Sequence, residues 1–285
     1  IFLAAGGSAQ ENISTNTIGN FIIPLPPLPE QTAIANFLDE KTAKIDSLIE
    51  KKKKLIELYK EEKTALINQA VTRGINPNVK LKPSGVDWLG EIPEHWEVKK
   101  LKYEAKIQGG YAFKSEEFVD NGMPVVRIGD ISTKINLEDC KKTSETNISD
   151  EFKLKKYDTL IALSGATVGK MCFIEEDINA YINQRVAKVN NGSKYLHFIL
   201  TSNFFIEQIF LAAGGSAQEN ISTNTIGNFI IPLPPLEEQQ QIVEYIESET
   251  KRIDDKIARA EKEIELLQEY RTALISEVVT GKIKV

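Results

Sequence analysis

Two long stretches of the chain repeat apolar residues at the alternating three-and-four spacing of a helix buried along one stripe. In the first, one seam position takes Leu38, Ile45, Lys52, Tyr59 and Leu66, and the other takes Thr42, Ile49, Ile56 and Lys63. In the second, the matching positions are Ile246, Ile253, Ala260, Leu267 and Leu274, with Thr250, Ile257, Ile264 and Arg271. Residues 30–73 and 237–280 hold no Gly or Pro, and Gly74 and Gly281 follow them. Each stretch therefore predicts one helix of about 43 residues, roughly 65 Å at 1.5 Å per residue. Pro24, Pro26 and Pro27, and their counterparts before Leu236, favour a sharp helix start. The first helix runs into the intervening segment and the second runs out of it, so an antiparallel pair is the economical arrangement. A seam of this kind usually buries only its own stripe. Leu48 and Leu55 widen it on the first helix where the second has Lys256 and Glu263, which hints at a further partner. Lys51–Lys54 reads as a solvated helix face in preference to a phosphate patch.

Between the helices the pattern shortens. MPVVRIGDIS (123–132), DTLIALSG (158–165) and INQRVAKV (182–189) are apolar or alternating runs closed by polar residues or glycine, as strands require. Residues 195–211 read as helix. The expected fold class is α+β, a strand-rich domain with long polar loops plus two long antiparallel coiled-coil helices.

Self-comparison explains why the two helices match. Ile1–Leu28 recurs unchanged at Ile209–Leu236, 208 residues later, and the match continues more loosely from 30–72 against 238–280. That period is far longer than a solenoid repeat. One module, a globular body followed by a long helix, has been duplicated, and the first copy is represented here by its tail.

Composition narrows the function. With 285 residues, 41% hydrophobic and 27% charged, the chain has room for two compact units and is not generally disordered. No apolar run approaches the roughly 20 residues needed to span a bilayer, and no signal-peptide pattern opens the chain, so a cytoplasmic location without a membrane partner is expected. Ile1, in place of Met, points to processing, truncation or part of a longer protein. Cys140, Cys172, His95 and His197 are too few for a disulfide framework plus a zinc site, and no metal is expected. Net charge is −6, and residues 84–236 carry 16 Lys/Arg against 20 Asp/Glu. This argues against autonomous non-specific DNA binding, which rests on phosphate neutralisation. Any DNA-binding charge must be locally clustered or lent by a partner.

Gly85–Leu101, GVDWLGEIPEHWEVKKL, resembles the opening of a target recognition domain in type I restriction-modification specificity subunits. PLPPLPEQ and PLPPLEEQ, each leading into a long helix, resemble that family's passage from recognition domain to spacer helix. The resemblance implies this division: 1–29, tail of a first recognition domain; 30–73, spacer helix; 74–83, linker; 84–236, target recognition domain; 237–285, second spacer helix. It also implies two recognition domains reading the halves of a bipartite double-stranded DNA site, with helices that set the gap and dock methyltransferase (M) subunits. Cofactors are expected only on partners: S-adenosylmethionine on an adenine methyltransferase, ATP and Mg on a restriction (R) subunit. The body of the first recognition domain is not in this sequence. Either the parent is longer, or this is a half-subunit that self-associates to restore two reading heads.

Base reading needs paired donors and acceptors: Arg or Lys toward guanine, Asn or Gln toward adenine, Ser or Thr more permissively. Glycine-containing loops allow close backbone approach. GGYAFKS (109–115), SGATVGK (164–170) and the Gln184–Arg185 pair combine these features, nominating Tyr111, Lys114, Ser115, Ser164, Thr167, Lys170, Gln184 and Arg185 for DNA binding. Tyr111 and Phe113 either pack or touch a base. The GGSAQEN loop (214–220), shared with 6–12, suits scaffold or backbone contact better than base choice. Arg127 is expected to pair with Asp130 or another acid.

Enzyme readings fail on residues. SGATVGK has only three residues between Gly165 and Gly169, and Met171 stands where a phosphate loop needs Ser or Thr. GGSAQ lacks the further glycine of a dinucleotide fingerprint. No methyltransferase motif or nucleophile–histidine arrangement is evident, and His95 reads as structural. The chain is expected to be a non-catalytic specificity subunit. The alternative is a coiled-coil scaffold with a protein-binding head, which would retain no DNA sequence selectively even beside a methyltransferase.

Overall fold

The computed structural model describes residues 15–132, 134–144, 147–214 and 220–285. The Gly6–Asn12 loop and most of its duplicate, residues 215–219, lie outside the described residues. The helices are α1 (Thr15–Gly19), α2 (Leu28–Arg73), α3 (Lys194–Leu200), α4 (Asn203–Ala212), α5 (Thr223–Gly227) and α6 (Leu236–Val279). Both long helices start in the same way: Gln31 Nε2 donates to Pro26 O (2.7 Å), and its counterpart Gln239 Nε2 donates to Pro234 O (2.9 Å). Acidic residues in the first turns, Glu30 on α2 and Glu237 and Glu238 on α6, favour the positive helix end. Gly74, at φ 74°, ends α2 where an added Cβ would sit 3.3 Å from both Trp96 and Glu238.

Two compact units form, one from Ile1–Tyr59 with Asp255–Val285 and one from Lys60–Asp254. In the first, Ile45, Ile49, Leu274 and Val278 are buried together, with Leu38, Ile264 and Leu267 packed against them. Ile56 and Ala260 are buried as well, and Ile257 is half-buried. Arg271 Nε meets Asp46 Oδ1 at 2.9 Å, Lys52 pairs with Glu263, and the Lys256 ammonium stands 5.1 Å over the Tyr59 ring. Partner numbers fall on α6 as they rise on α2, so the helices are antiparallel. Of Lys51–Lys54, Lys52 is partly buried by its ion pair and Lys51 and Lys54 are exposed; Lys53 pairs along its own helix with Glu50. Leu48, Leu55 and Leu58 are exposed.

The second unit holds the antiparallel ends of the same helices, with Lys63 Nζ 2.7 Å from Asp254, and Leu66, Ala70, Val71, Ile242, Ile246 and Ile253 on its apolar side. Its strands are β1 (Leu81–Pro83), β2 (Glu91–Pro93), β3 (Glu97–Lys100), β4 (Lys106–Gly109), β5 (Phe118–Val119), β6 (Met123–Val126), β7 (Lys141–Thr143), β8 (Lys153–Leu154), β9 (Thr159–Ala162), β10 (Met171–Phe173), β11 (Ile178–Ile182), β12 (Val186–Asn190) and β13 (Ile230–Leu233). They form a four-stranded antiparallel sheet, β10-β9-β12-β4, a five-stranded sheet, β5-β7-β6-β11-β8, and the pairs β1-β2 and β13-β3. Alternation assigns the faces of the four-stranded sheet. Ile161, Ala187 and Val189 pack into the core with Trp96, Tyr195, Ile199 and Phe205, while Leu160, Ala162 and Val186 pack with Val126, Ile174 and Ile182.

The α+β expectation holds, with three local corrections. The run 123–132 is strand only to Val126, after which a 3-10 turn at Ile128–Asp130 is held by Arg127 N donating to Asp130 Oδ2 (2.9 Å). Residues 182–189 do not form one strand: β11 ends at Ile182 and β12 starts at Val186, with Val186 N bonded to Asn183 O (2.8 Å) across the turn. The helix foreseen over 195–211 is two, because Ser202 terminates α3 and precedes α4.

Candidate nucleic-acid interface

The strand register decides which loops meet. β12 runs antiparallel to both β4 and β9, with Ala187 opposite Gly109 and Val186 opposite Ala162, and β10 starts at Met171, opposite Ile161. The exits of β4 and β9 and the entrances of β10 and β12 therefore share one end of the sheet. Residues 110–115, 163–170 and 183–185 emerge there side by side. Backbone bonds join them: Gly110 N to Val186 O (3.0 Å), Tyr111 N to Ile182 O (2.9 Å), Gln184 N to Tyr111 O (2.9 Å), Leu163 N to Arg185 O (2.9 Å) and Ala162 N to Lys170 O (2.9 Å).

Gly110 makes this convergence sterically feasible, since a Cβ on it would fall 2.2 Å from Ile182 O and 2.4 Å from Asn183 O. Gly110→Ala is expected to cost about 1–3 kcal/mol, as overpacking against backbone does. Urea denaturation measures it, and an unchanged midpoint would show that the loops can separate freely.

Lys114, Ser115, Lys170, Gln184 and Arg185 are exposed at this end, and Thr167 is half-buried with its hydroxyl donating to Ser164 O (3.0 Å). Lys114, Lys170 and Arg185 have no ion pair among the described residues. Asn183 Oδ1 accepts from Arg185 N (3.3 Å), which shapes the turn presenting the Gln184 and Arg185 side chains. Ser164 is buried, and its Oγ has no hydrogen-bond partner among the described residues. Tyr111 is half-buried, edge-on to Phe113 (5.0 Å) and Phe152 (5.7 Å), and Phe113 is buried, so both rings pack in one aromatic cluster. Arg127 Nε lies 3.4 Å from Asp130 Oδ2. His95 Nε2 sits 2.6 Å from Glu238 Oε2 at the start of α6.

The other titratable groups in the core read as structural. Burial pushes the Cys140 thiol up to about 11 and raises Cys172, so neither is a ready nucleophile. Burial lowers His197 to about 4; its ring stacks on Phe173 at 4.3 Å, with Nδ1 3.3 Å from Thr159 Oγ1. The folded state keeps His197 neutral while an unfolded chain protonates it near pH 6.5, so its stabilisation is complete above pH 6.5 and lost as pH falls toward 4. His197→Phe is expected to remove about 2 kcal/mol of the stability difference between pH 7 and pH 5. Denaturation midpoints at the two pH values test it, and equal pH dependence in both proteins would contradict it.

Sequence inspection overlooked a second polar cluster. Lys188 on β12 is 6% exposed and Asp158 1% exposed, with Nζ 3.6 Å from Asp158 Oδ2 and 2.6 Å from Lys153 O. The signal available in the sequence was the basic run Lys153, Lys155, Lys156 just before Asp158. Among the described residues there is no group of His, Cys, Asp and Glu that could hold a metal ion, and no helix long and apolar enough to cross a membrane.

The chain thus combines a four-stranded sheet that presents polar loops at one end with two long helices of 46 and 44 residues. The chain belongs to the type I restriction-modification DNA specificity domain family, whose model matches residues 2–58 and 93–266. It is 32% identical over 98% of its length to the type I restriction enzyme MjaVIII specificity subunit of Methanocaldococcus jannaschii, spanning 66% of that protein. It is 26% identical over 87% of its length to the EcoBI specificity subunit of Escherichia coli, spanning 57% of it. The chain thus covers somewhat less than two thirds of these relatives. Its fold is similar to a chain of a type I restriction-modification complex solved to explain assembly and conformational transition (TM-score 0.73, 19% identity, 99% of this chain and 67% of that one). The HsdS subunit of Thermoanaerobacter tengcongensis is also similar (TM-score 0.60, 18% identity, 98% and 66%).

Proposed function

We propose that this chain reads one half of a bipartite double-stranded DNA site and directs an adenine methyltransferase and a restriction subunit to it, supplying no catalytic group itself. The observation carrying this reading is the gathering of three loops at one sheet end, with Lys114, Lys170 and Arg185, which make no ion pair among the described residues, beside Gln184 and Ser115. In an acidic chain, local clustering of cations is what phosphate attraction requires. Arg and Gln side chains offer the forks that fit guanine and adenine edges. S-adenosylmethionine, ATP and Mg belong to the partner subunits in this reading.

The duplicated tail supports a second head in the assembly. Ile18, Ile22, Ile23 and Leu25 are 51, 99, 70 and 78% exposed, whereas Ile226 and Ile231, the counterparts of Ile18 and Ile23, are 0 and 1% exposed. The covering in the second copy is a recognition body whose β3 pairs with β13. A like body, on the same polypeptide or on a second copy of the chain, would cover the first. Retention of genomic fragments by the chain with its methyltransferase tests the function. Enrichment of one sequence motif is expected, and retention without any shared sequence would favour the scaffold reading.

A further inference from the structure

The opposite end of the same sheet has its own polar site. A crevice of about 450 Å³ is lined by Lys106, Gln108, Lys155, Lys156, Asp158 and Lys188, together with Glu151, Asp177 and Asn190. Lys106 begins β4 and Asn190 ends β12, paired across the ladder, so the crevice lies a strand's length from the loops described above.

Charge inside the crevice is only partly balanced. Asp158 is satisfied by Lys188, by Lys155 N (2.8 Å) and by Asn190 Nδ2 (2.6 Å), and Asp177 accepts from Lys156 N (2.8 Å). The ammonium groups of Lys106, Lys155 and Lys156 are exposed and make no ion pair among the described residues. Burial lowers the Lys188 pKa, opposed by Asp158, while the positive charges of Lys155 and Lys106 push it the same way as burial. Gln108 stands directly opposite Lys188 in the β4–β12 register, and neither its amide nitrogen nor its amide oxygen has a partner among the described residues, although both are shielded from solvent. Tyr157, between Lys156 and Asp158, holds φ at 70°, rare for an aromatic residue and a mark of a constrained site.

The Lys106, Lys155 and Lys156 ammonium groups, which make no ion pair among the described residues although Lys156 stands 5.0 Å over the Tyr157 ring, are together with the unpartnered Gln108 amide complementary to an oxyanion. We propose that this crevice is a phosphate-binding site, in which Lys106, Lys155, Lys156 and the Gln108 amide hold one phosphate group. A strand of five residues spans about 13–17 Å, or four to five base-pair steps of 3.4 Å. A duplex lying along the strands would bring a phosphate of its backbone, flanking the bases read by the loops, to this crevice, and this form of the proposal rests on the recognition role above. A phosphate of a free nucleotide presents the same chemistry.

The test uses the full chain and its Lys155→Gln/Lys156→Gln variant, both substitutions lying on exposed side chains, after equal denaturation midpoints are established. DNA affinity is measured against salt on a duplex carrying the selected motif, and inorganic phosphate binding is followed by phosphorus NMR. A DNA contact predicts that the slope of log affinity against log salt weakens by about one unit while sequence preference is unchanged. An unchanged slope, with phosphate binding present in the parent and lost in the variant, assigns the site to a free phosphate compound. If the parent shows no sequence preference yet the slope still weakens, the recognition reading fails and the crevice stands. Unchanged slope together with unchanged phosphate binding overturns the proposal.

Discussion

Arg185→Ala and Gln184→Ala are each expected to relax discrimination at one base position by about 1–3 kcal/mol, roughly 5- to 150-fold, with little change in stability. Both side chains are exposed, and the turn that carries them is built from backbone bonds and the Asn183 side chain, none of which either substitution removes. The effect therefore appears in which sequences are bound and not in how well the protein folds. Lys114→Ala and Lys170→Ala serve as the contrast, since a phosphate contact lowers affinity for every sequence alike. Binding to a library of site variants separates the two behaviours. If Arg185→Ala weakens all sequences equally, that residue positions the backbone and does not read a base.

The second large effect concerns the helices. Removing one heptad from each, Lys51–Glu57 on α2 and Ala258–Ile264 on α6, preserves the seam register because Lys52 faces Glu263 across the pair. It shortens each helix by about 10.5 Å at 1.5 Å per residue, equivalent to about three base pairs. If helix length separates the half-sites, the gap in the recognised sequence contracts by about that amount, or methylation is lost because the two half-sites no longer fit together. Sequencing the methylated sites of cells carrying the shortened protein measures this. An unchanged gap would remove the helices from any role in spacing.

The long helices were the most legible part of the sequence, and the reason is physical. A seam that must stay on one side of a helix for some forty residues leaves a periodic record, and polar seam residues such as Lys52 and Lys63 fit it by pairing across to Glu263 and Asp254. The duplicated tail was equally plain, but its consequence was not. Ile23 and Ile231 have identical sequence neighbours and opposite burial, because burial depends on whether a body is present to cover the segment.

Strand positions were readable and strand partners were not. Alternation marks which residues face a core, yet nothing local declares that β6 and β11 run parallel or that β4 pairs with β12 across nearly eighty residues. The same limit applied to the polar sites. Gly109–Ser115, Ser164–Lys170 and Gln184–Arg185 could be nominated by residue type, but their convergence follows from sheet register. Nothing in the INQRVAKV run marks Lys188 as buried; the carboxylate and carbonyl that allow its burial come from Asp158 and Lys153, some thirty residues earlier. Tyr111 could be nominated by its ring alone, and its edge-on packing against Phe113 and Phe152 was not visible from the sequence.

In the proposed function, this chain selects the DNA sequence on which a partner methyltransferase acts. Methylome sequencing of cells expressing the methyltransferase with and without this chain tests it most directly. The expected result is a new methylated motif that appears only when the chain is present, bipartite if two different heads read it and palindromic if two copies of this head do. A stable complex with active methyltransferase that yields no new motif would contradict it.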